Sequence, residues 1–162
     1  MDELPHFNAD GGSHMVDVSG KPVTHRQAVA SARVVMQAST LQLIQQGQAE
    51  KGNVLEVARL AGIMAAKRTG DLIPLCHPLP ISSVNIELFG EAPDTLVIRS
   101  QVGTEGKTGV EMEALVAAST AALTVYDMVK SADRGVVIER VQLEHKSGGK
   151  TGVWNREGQV DR

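Results

Sequence analysis

Apolar and polar positions along the chain follow a helical period in two long segments. In the first, residues 54–68, one face collects the apolar side chains: Val54, Val57, Ala58, Ala61, Met64 and Ala65. Asn53 stands at the position of an N-cap and Gly70 at the expected stop. The second segment, 109–130, predicts the longest helix of the chain.

Shorter segments predict strands and one further helix. Strands are expected over 81–89, 95–102 and 135–144, the first two joined as a hairpin. A short helix is expected over 39–46. Residues 26–36 leave two structures open, because their valines favour a strand and their alanines permit a helix. With 26–36 as a strand, the order β, α, α, β, β, α, β predicts an α+β sandwich, a mainly antiparallel sheet with helices on one face.

The length of 162 residues fits one domain, with a less regular segment at each end. Residues 1–24 are rich in turn-forming residues and predict an N-terminal arm, partly flexible, that is either mobile or laid across a partner subunit. Residues 25–152 form the single expected domain. A polar C-terminal tail is expected over 153–162.

The predicted helix over 109–130 carries two stripes of side chains. The stripe expected to be buried contains Met112, Leu115, Val116, Ser119, Ala122, Leu123 and Tyr126. The other runs from Glu113 to Asp127 through small residues. These two carboxylates are about 21 Å apart at the helical rise per residue. They therefore serve opposite ends of a long ligand, or an oligomer brings them into different sites.

Composition excludes several classes of function. The only aromatic residues are Phe7, Phe89, Tyr126 and Trp154, so the core must be aliphatic and a base-stacking platform for nucleic acid is not expected. The net charge of −3 gives no overall basic field for DNA or an anionic membrane.

Localisation is inferred from what the sequence lacks. We expect no membrane-spanning helix, because no stretch approaches 18 uncharged apolar residues. The N-terminus lacks a basic region followed by an apolar run, so no signal peptide is expected. The single cysteine, Cys76, fits a reducing compartment. These features together predict a cytoplasmic protein.

A proline-rich segment, 71–80, separates the first long helix from the hairpin. Its three prolines in seven residues exclude a helix and predict a rigid, extended loop. Cys76 and His77 in this loop are a weak indication of metal, because no second cluster of ligands stands at a suitable spacing. A stiff loop that presents His77 in a fixed direction suits a binding site better.

The pentapeptide GKTGV occurs twice, at 106–110 and 149–153. Neither copy is a P-loop, because the required earlier glycine is replaced by Gln101 or Glu144. The first copy precedes a predicted helix, whose N-terminus favours an anion, although the residues alone favour a plain loop. Basic residues elsewhere are either solvated or form a phosphate-binding cluster: Arg26, Lys51, Lys67, Arg68, His145, Lys146 and Lys150.

Asp127 and Lys130 stand three residues apart on the same predicted helix. An exposed ion pair at this spacing contributes a few tenths of a kcal/mol, about 0.2–0.5, and needs no function. The same pair of groups is also suited to proton transfer. The spacing alone leaves both interpretations open.

Three long segments of the sequence resemble the MoaC family of molybdenum-cofactor biosynthesis. They are HMVDVSGKPVT (14–24), KGNVLEVARLAGIMAAKRTGDLIPLCHPL (51–79) and GKTGVEMEALVAASTAALTVYDMVKSADRG (106–135). The similarity runs from about residue 14 to 152. It implies a ferredoxin-like subunit, a hexamer built as a trimer of dimers, and active sites at subunit interfaces.

The resemblance also implies the reaction. The enzyme would convert 3′,8-cyclo-7,8-dihydro-GTP, made by a partner radical enzyme, into cyclic pyranopterin monophosphate and pyrophosphate. Asp127, Lys130 and Lys51 would be catalytic. Substrate would be bound by Leu75, Cys76, His77, Met112, Glu113, Lys67 and Lys146. No redox cofactor and no protein-bound metal are expected, although Mg²⁺ would suit the substrate phosphates. A non-catalytic regulatory oligomer that binds a purine nucleotide is the alternative.

Overall fold

The computed structural model describes residues 6–156. Its elements are β1 (Thr24–Val35), α1 (Ala38–Gln45), α2 (Val54–Ala66), α3 (Thr69–Leu72), β2 (Ile81–Glu91), β3 (Thr95–Gly106), α4 (Glu111–Val129), β4 (Val137–Ser147) and β5 (Trp154–Asn155). The strands form an antiparallel sheet in the order β2-β3-β1-β4-β5. The predicted α+β fold is confirmed and is consistent with a ferredoxin-like sandwich.

The segment left open in the sequence is β1, at the centre of the sheet. It pairs with β3 on one side and β4 on the other. Alternate alanines of β1, Ala28, Ala30 and Ala32, are fully buried on the face that packs against α4. In a strand these residues share one face, and their small size lets the helix approach closely. The alanines of this segment, which are compatible with a helix, therefore lie in the central strand of the sheet.

The core is aliphatic, as expected, and rich in alanine. All five alanines from Ala114 to Ala122 on the inner side of α4 are fully buried: Ala114, Ala117, Ala118, Ala121 and Ala122. Gly62 of α2 lies against the backbone of α4, where a Cβ would stand 3.0 Å from the Ala117 carbonyl oxygen. Helices α2 and α4 therefore pack with almost no side chain between them at this point.

The predicted buried stripe of α4 is right at Ala122 but wrong elsewhere, because its other members are half-buried or exposed. Leu123 is 59% exposed, whereas Ala117 and Val125 are fully buried. In α2 the expected residues Val54, Ala58 and Ala65 are buried. Val57 and Met64, also expected there, are exposed, and Gly62 is buried instead. Helical periodicity is dominated by large apolar residues. Here close packing selects the small ones for the interior and leaves large side chains outside.

Three predicted boundaries also change. The loop expected over 71–80 begins with the single turn α3, since Thr69 donates its hydroxyl to the carbonyls of Ala65 and Ala66 and so continues the chain from α2. The strand expected to end at 144 runs to Ser147, and the expected tail begins with β5, which pairs with β4. Residues 1–5 of the arm and 157–162 of the tail lie outside the described residues.

Helix α4 is long and apolar enough to cross a membrane, judged by length and composition alone. Half of its most apolar window is buried inside the protein. Core helices pass the same test, and the packing of α4 between α2 and the sheet is that of a core helix.

Candidate active site

A cavity of about 570 Å³ opens where the proline loop meets the first turn of α4. The expected substrate-binding residues Leu75, Cys76, His77, Met112 and Glu113 all line it, together with His6, Val16, Val18, Lys21, Ile73, Leu79, Thr108, Gly109 and Glu111. We call it the loop cavity. The prolines hold the loop extended after α3, and α4 begins directly opposite. The structure thus brings five of the ten predicted site residues together.

Glu113 is the buried charge of the loop cavity, with 4% of its surface exposed. Burial raises the pKa of its carboxyl, and the neighbouring Glu111 raises it further. Burial, Glu113 and Glu111 also raise the pKa of the Cys76 thiol. Cys76 is therefore a neutral thiol near pH 7, which suits a contact residue better than a nucleophile or a metal ligand.

His77 ties the N-terminal arm to the proline loop. Its Nε2 lies 2.7 Å from the carbonyl oxygen of Val16, so this nitrogen carries the proton and donates. A second tie follows along the arm, where Lys107 Nζ donates to the Ser19 carbonyl at 2.7 Å. These two hydrogen bonds hold residues 16–19, of which Val16 and Val18 line the loop cavity of the same chain.

A second cavity, about 700 Å³, lies beside the first and shares Lys21, Thr108, Gly109 and Glu111 with it. Both GKTGV segments line it, through Lys107 to Gly109 and through Gly149 to Thr151. The other cations around it are Lys21, Arg26 and Lys146. We call it the basic cavity. The two copies of the pentapeptide therefore lie at the same cavity, although neither is a P-loop.

Arg26 binds the first GKTGV segment and lies against the start of the second. Its Nε donates to the Gly106 carbonyl at 3.0 Å and its Nη2 to the Lys107 carbonyl at 3.1 Å. Gly148 and Gly149 pass close to the same side chain with φ of 94° and 72°. A Cβ at Gly149 would overlap the Arg26 guanidinium. Glycine is needed there for both the left-handed backbone and the close approach.

Lys146 is oriented by Glu111, whose Oε1 lies 2.7 Å from its Nζ. Both side chains are about one-quarter exposed. Sequence reasoning missed Glu111, Lys21 and Lys107 as site residues. The available signal was the repeated pentapeptide, because Lys107 belongs to its first copy and Glu111 follows that copy directly.

The three expected catalytic residues form a separate cluster at the far end of α4. Lys51 Nζ donates to the Asp127 carbonyl at 2.8 Å and to its Oδ2 at 3.1 Å. Lys130 Nζ donates to Asp127 Oδ1 at 2.7 Å. The hydrogen bonds from Lys130 and then Lys51 lower the pKa of Asp127, and the bond to Asp127 raises the pKa of Lys130. Asp127 is thus an anion held between two ammonium groups.

Within one chain the predicted site residues lie in separate places. Asp127 is fourteen residues along α4 from Glu113, about 21 Å at the helical rise. Lys67 is exposed at the end of α2, beside a small cleft that it shares with Glu113 and Pro78. Within residues 6–156, no group of three or more His, Cys, Asp or Glu side chains is arranged to hold a metal ion.

Comparison with known proteins identifies the family. The model of the MoaC family matches residues 15–149. Proteins named cyclic pyranopterin monophosphate synthase are similar over almost the whole length. That of Thermomicrobium roseum is 56% identical, covering 97% of this chain and 95% of its own. That of Cereibacter sphaeroides is 58% identical, covering 94% and 96%. That of Desulforamulus reducens is 55% identical, covering 98% and 97%. The chain therefore belongs to the MoaC family.

Proposed function

We propose that this chain is a lyase that converts 3′,8-cyclo-7,8-dihydro-GTP into cyclic pyranopterin monophosphate and pyrophosphate. One observation carries the proposal beyond the relatives' shared name: the loop cavity and the basic cavity adjoin, and Lys21 and Glu111 line both. A ligand with a ring system at one end and a triphosphate at the other suits such a pair. Its ring would occupy the loop cavity and its phosphates the basic cavity.

The basic cavity supplies the electrostatics that pyrophosphate release requires. Within residues 6–156, five cationic side chains line it, against one carboxylate: Lys21, Arg26, Lys107, Lys146 and Lys150 against Glu111. Closure of the cyclic phosphate forms a bond from a substrate hydroxyl oxygen to the α-phosphorus and breaks the bond to pyrophosphate. Fixed cations stabilise the charge on the leaving group. Mg²⁺ would accompany the phosphates as part of the substrate, and the reaction needs no redox cofactor.

The loop cavity supplies recognition of the ring. Glu113, with its raised pKa, is a hydrogen-bonding group for ring nitrogens, and Leu75 and Met112 add apolar surface. His77 Nε2 is already used to hold the arm, so His77 binds substrate through its other ring nitrogen or through its backbone. Recognition here depends on shape and hydrogen bonds, since in the part of the chain that the structure describes no tryptophan, tyrosine or phenylalanine lines either cavity.

Asp127, Lys130 and Lys51 are the groups proposed to move protons. Ring opening, ring closure and cyclic phosphate formation each transfer a proton, and a carboxylate between two ammonium groups can relay one. In the single chain all three side chains are at least two-fifths exposed. Packing of a second subunit would remove this water and strengthen their interactions.

We infer that each complete site combines two copies of the chain. The cavities at the start of α4 and the cluster at its end are too far apart to act on one reaction centre. The helix layer also leaves an apolar stripe on α2 uncovered, at Val57, Leu60 and Met64, as expected for a homo-oligomer. A hexamer built as a trimer of dimers remains the proposed assembly, located in the cytoplasm beside the radical enzyme that makes the substrate.

Incubation with 3′,8-cyclo-7,8-dihydro-GTP tests the activity, with pyrophosphate release and the pterin product as readouts. Asp127→Ala and Lys130→Ala are expected to abolish turnover without changing the oligomer. Arg134→Ala, an exposed change outside both cavities, is the control. Substrate recovered intact from the wild-type protein would favour the regulatory, nucleotide-binding alternative instead.

A mixing experiment tests the composite site. Glu113→Gln and Asp127→Asn are each expected to be inactive. When the two are unfolded, mixed equally and refolded together, about a quarter of the sites should combine an intact Glu113 with an intact Asp127 from the other chain. Activity near this fraction supports sites shared between subunits. A mixture that stays inactive, although native mass spectrometry finds mixed oligomers, contradicts them.

A further inference from the structure

The junction of the loop cavity with the basic cavity holds a lysine to which no individual role has been assigned. Four residues line both cavities and so mark their junction: Lys21, Thr108, Gly109 and Glu111. In the proposed substrate, the α-phosphate stands between the ring system and the two phosphates that leave. With the ring in the loop cavity and the two outer phosphates in the basic cavity, the α-phosphate lies at this junction, beside Lys21.

Three of the cations around the basic cavity are already engaged with other groups of the protein. Arg26 donates to two backbone carbonyls, Lys107 donates to a carbonyl of the N-terminal arm, and Lys146 is paired with a carboxylate. Within residues 6–156, the ammonium groups of Lys21 and Lys150 make no hydrogen bond and no ion pair. Lys150 lines the basic cavity alone, whereas Lys21 lines both cavities. The two uncommitted charges therefore stand at different places along the substrate.

The backbone of Lys21 is held at the junction by local structure. Its amide donates to the Val18 carbonyl at 3.0 Å, which closes a turn over 18–21. Pro22 follows, and a residue that precedes proline favours an extended backbone. Just before this turn the arm is tied to the wall of each cavity, by the hydrogen bonds from His77 and from Lys107. The exposed side chain of Lys21 thus starts from a fixed point.

We propose that Lys21 is a catalytic residue that binds the α-phosphate and stabilises the charge on it during closure of the cyclic phosphate. In this step a substrate hydroxyl oxygen forms a bond to the α-phosphorus, and its proton passes to Asp127, the proposed acceptor. The bond to pyrophosphate breaks, and its electron pair stays on the leaving group. Negative charge is spread over the phosphate oxygens in the transition state, where a fixed cation stabilises it. The inference rests on the proposed function.

The two products of the reaction separate the role of Lys21 from that of Lys150. Cyclic pyranopterin monophosphate keeps the α-phosphorus, so its phosphate stays at the junction. Pyrophosphate contains the two outer phosphates, so it occupies the basic cavity. Lys21 should therefore contribute to binding of the cyclic monophosphate, and Lys150 to binding of pyrophosphate. A lysine that only adds to the general positive field of the basic cavity would instead affect pyrophosphate.

Calorimetry with each product tests this division in the full-length protein. Lys21→Met is expected to weaken binding of cyclic pyranopterin monophosphate about tenfold, the effect of one charge-assisted hydrogen bond. It should change the affinity for inorganic pyrophosphate by less than about threefold, because salt screens the more distant charge. Lys150→Met removes the same charge and is expected to show the opposite pattern. Lys21→Arg keeps the charge and should bind the cyclic monophosphate within about threefold of wild type.

Steady-state kinetics of pyrophosphate release give the second readout, with far-UV circular dichroism to check folding. Lys21→Met should lower kcat about 10²–10³-fold, as removal of one group that stabilises transition-state charge does, whereas Lys150→Met should mainly raise KM. The inference is overturned if kcat of Lys21→Met equals that of wild type, or if this variant loses as much affinity for pyrophosphate as for the cyclic monophosphate. A wild-type protein that binds both products but releases no pyrophosphate contradicts only the proposed function, because the binding comparison needs no turnover.

Discussion

Asp133 caps a helix that lies far from it in sequence, and its removal gives a quantitative test of the fold. It follows α4 and is 3% exposed. Its Oδ2 accepts from Gln37 N at 2.9 Å and Thr40 Oγ1 at 3.1 Å, and its Oδ1 accepts from Gly135 N at 2.9 Å. Gln37 is the N-cap of α1, and its own side chain makes no capping bond. Asp133 supplies that cap from another segment.

Asp133→Asn is expected to destabilise the protein by about 2–4 kcal/mol. The change keeps the shape but turns one oxygen into a donor, which then faces another buried donor. Losing a charge-assisted hydrogen bond and leaving a buried group unpaired each cost about 1–3 kcal/mol. A domain of this size has only about 5–15 kcal/mol in total. The loss is therefore a large part of the stability.

The dependence on pH gives the same prediction a second test. The hydrogen bond from Gln37 N is the main cause that lowers the pKa of Asp133, with further bonds from Gly135 and Thr40. A lowered folded-state pKa contributes stability that is present above the unfolded value of about 3.9 and is lost as the pH falls through the folded value. The difference between wild type and Asp133→Asn should therefore shrink below about pH 4.

Urea denaturation followed by far-UV circular dichroism measures this difference, at one fixed protomer concentration because assembly also stabilises the fold. Asp10→Asn is the matched control, since Asp10 is exposed. The reasoning is refuted if Asp133→Asn is no less stable than Asp10→Asn at pH 7. It is also refuted if the difference between the variant and wild type is unchanged at pH 3.

Three further predictions concern close packing and the two cavities. Gly62→Val should lower the free energy of unfolding by about 2–3 kcal/mol in urea titrations, because the added side chain overlaps the neighbouring helix and strand; an unchanged midpoint would contradict the packing. Gly149→Ala should displace Arg26 and so weaken the binding of inorganic pyrophosphate, measured by calorimetry. Gly152→Ala is the control, because Gly152 also has a positive φ but has open space where a Cβ would stand. Equal affinities of the two variants would show that Arg26 is not displaced. His77→Phe should speed tryptic cleavage in the N-terminal arm up to about tenfold, because the arm loses one hydrogen bond. An unchanged cleavage rate would show that His77 does not hold the arm in place.

The sequence predicts the elements of this fold better than their buried faces. Both long helices and the hairpin lie where the pattern places them, because Asn53 caps α2 and turn residues separate the strands. The faces are assigned correctly only in part, because helical periodicity ranks Leu123 above Ala117 as a core residue. Only the tertiary approach of α2 to α4 makes alanine the better fit.

The candidate site divides in the same way. Local sequence predicts the pairing of Asp127 with Lys130, which lie one helical turn apart. It does not predict that Lys51 joins them, because that contact spans 76 positions. Nor does it predict that Arg26 binds one GKTGV segment and abuts the residues that open the other. The contacts of Arg26 depend on the pairing of β1 with β3 and β4, which no short segment of the sequence predicts.

The net charge of −3 excludes a global basic field, but the arrangement of charges allows a strong local one. Among the described residues, five cations face the basic cavity and Glu111 is its one lining carboxylate, within a chain that is acidic overall. A field of this kind acts within about a Debye length, about 8 Å at physiological ionic strength. It attracts a triphosphate that has entered the cavity but not a distant polyanion. Binding of pyrophosphate should therefore weaken steeply with added salt, and a duplex DNA competitor should not displace it.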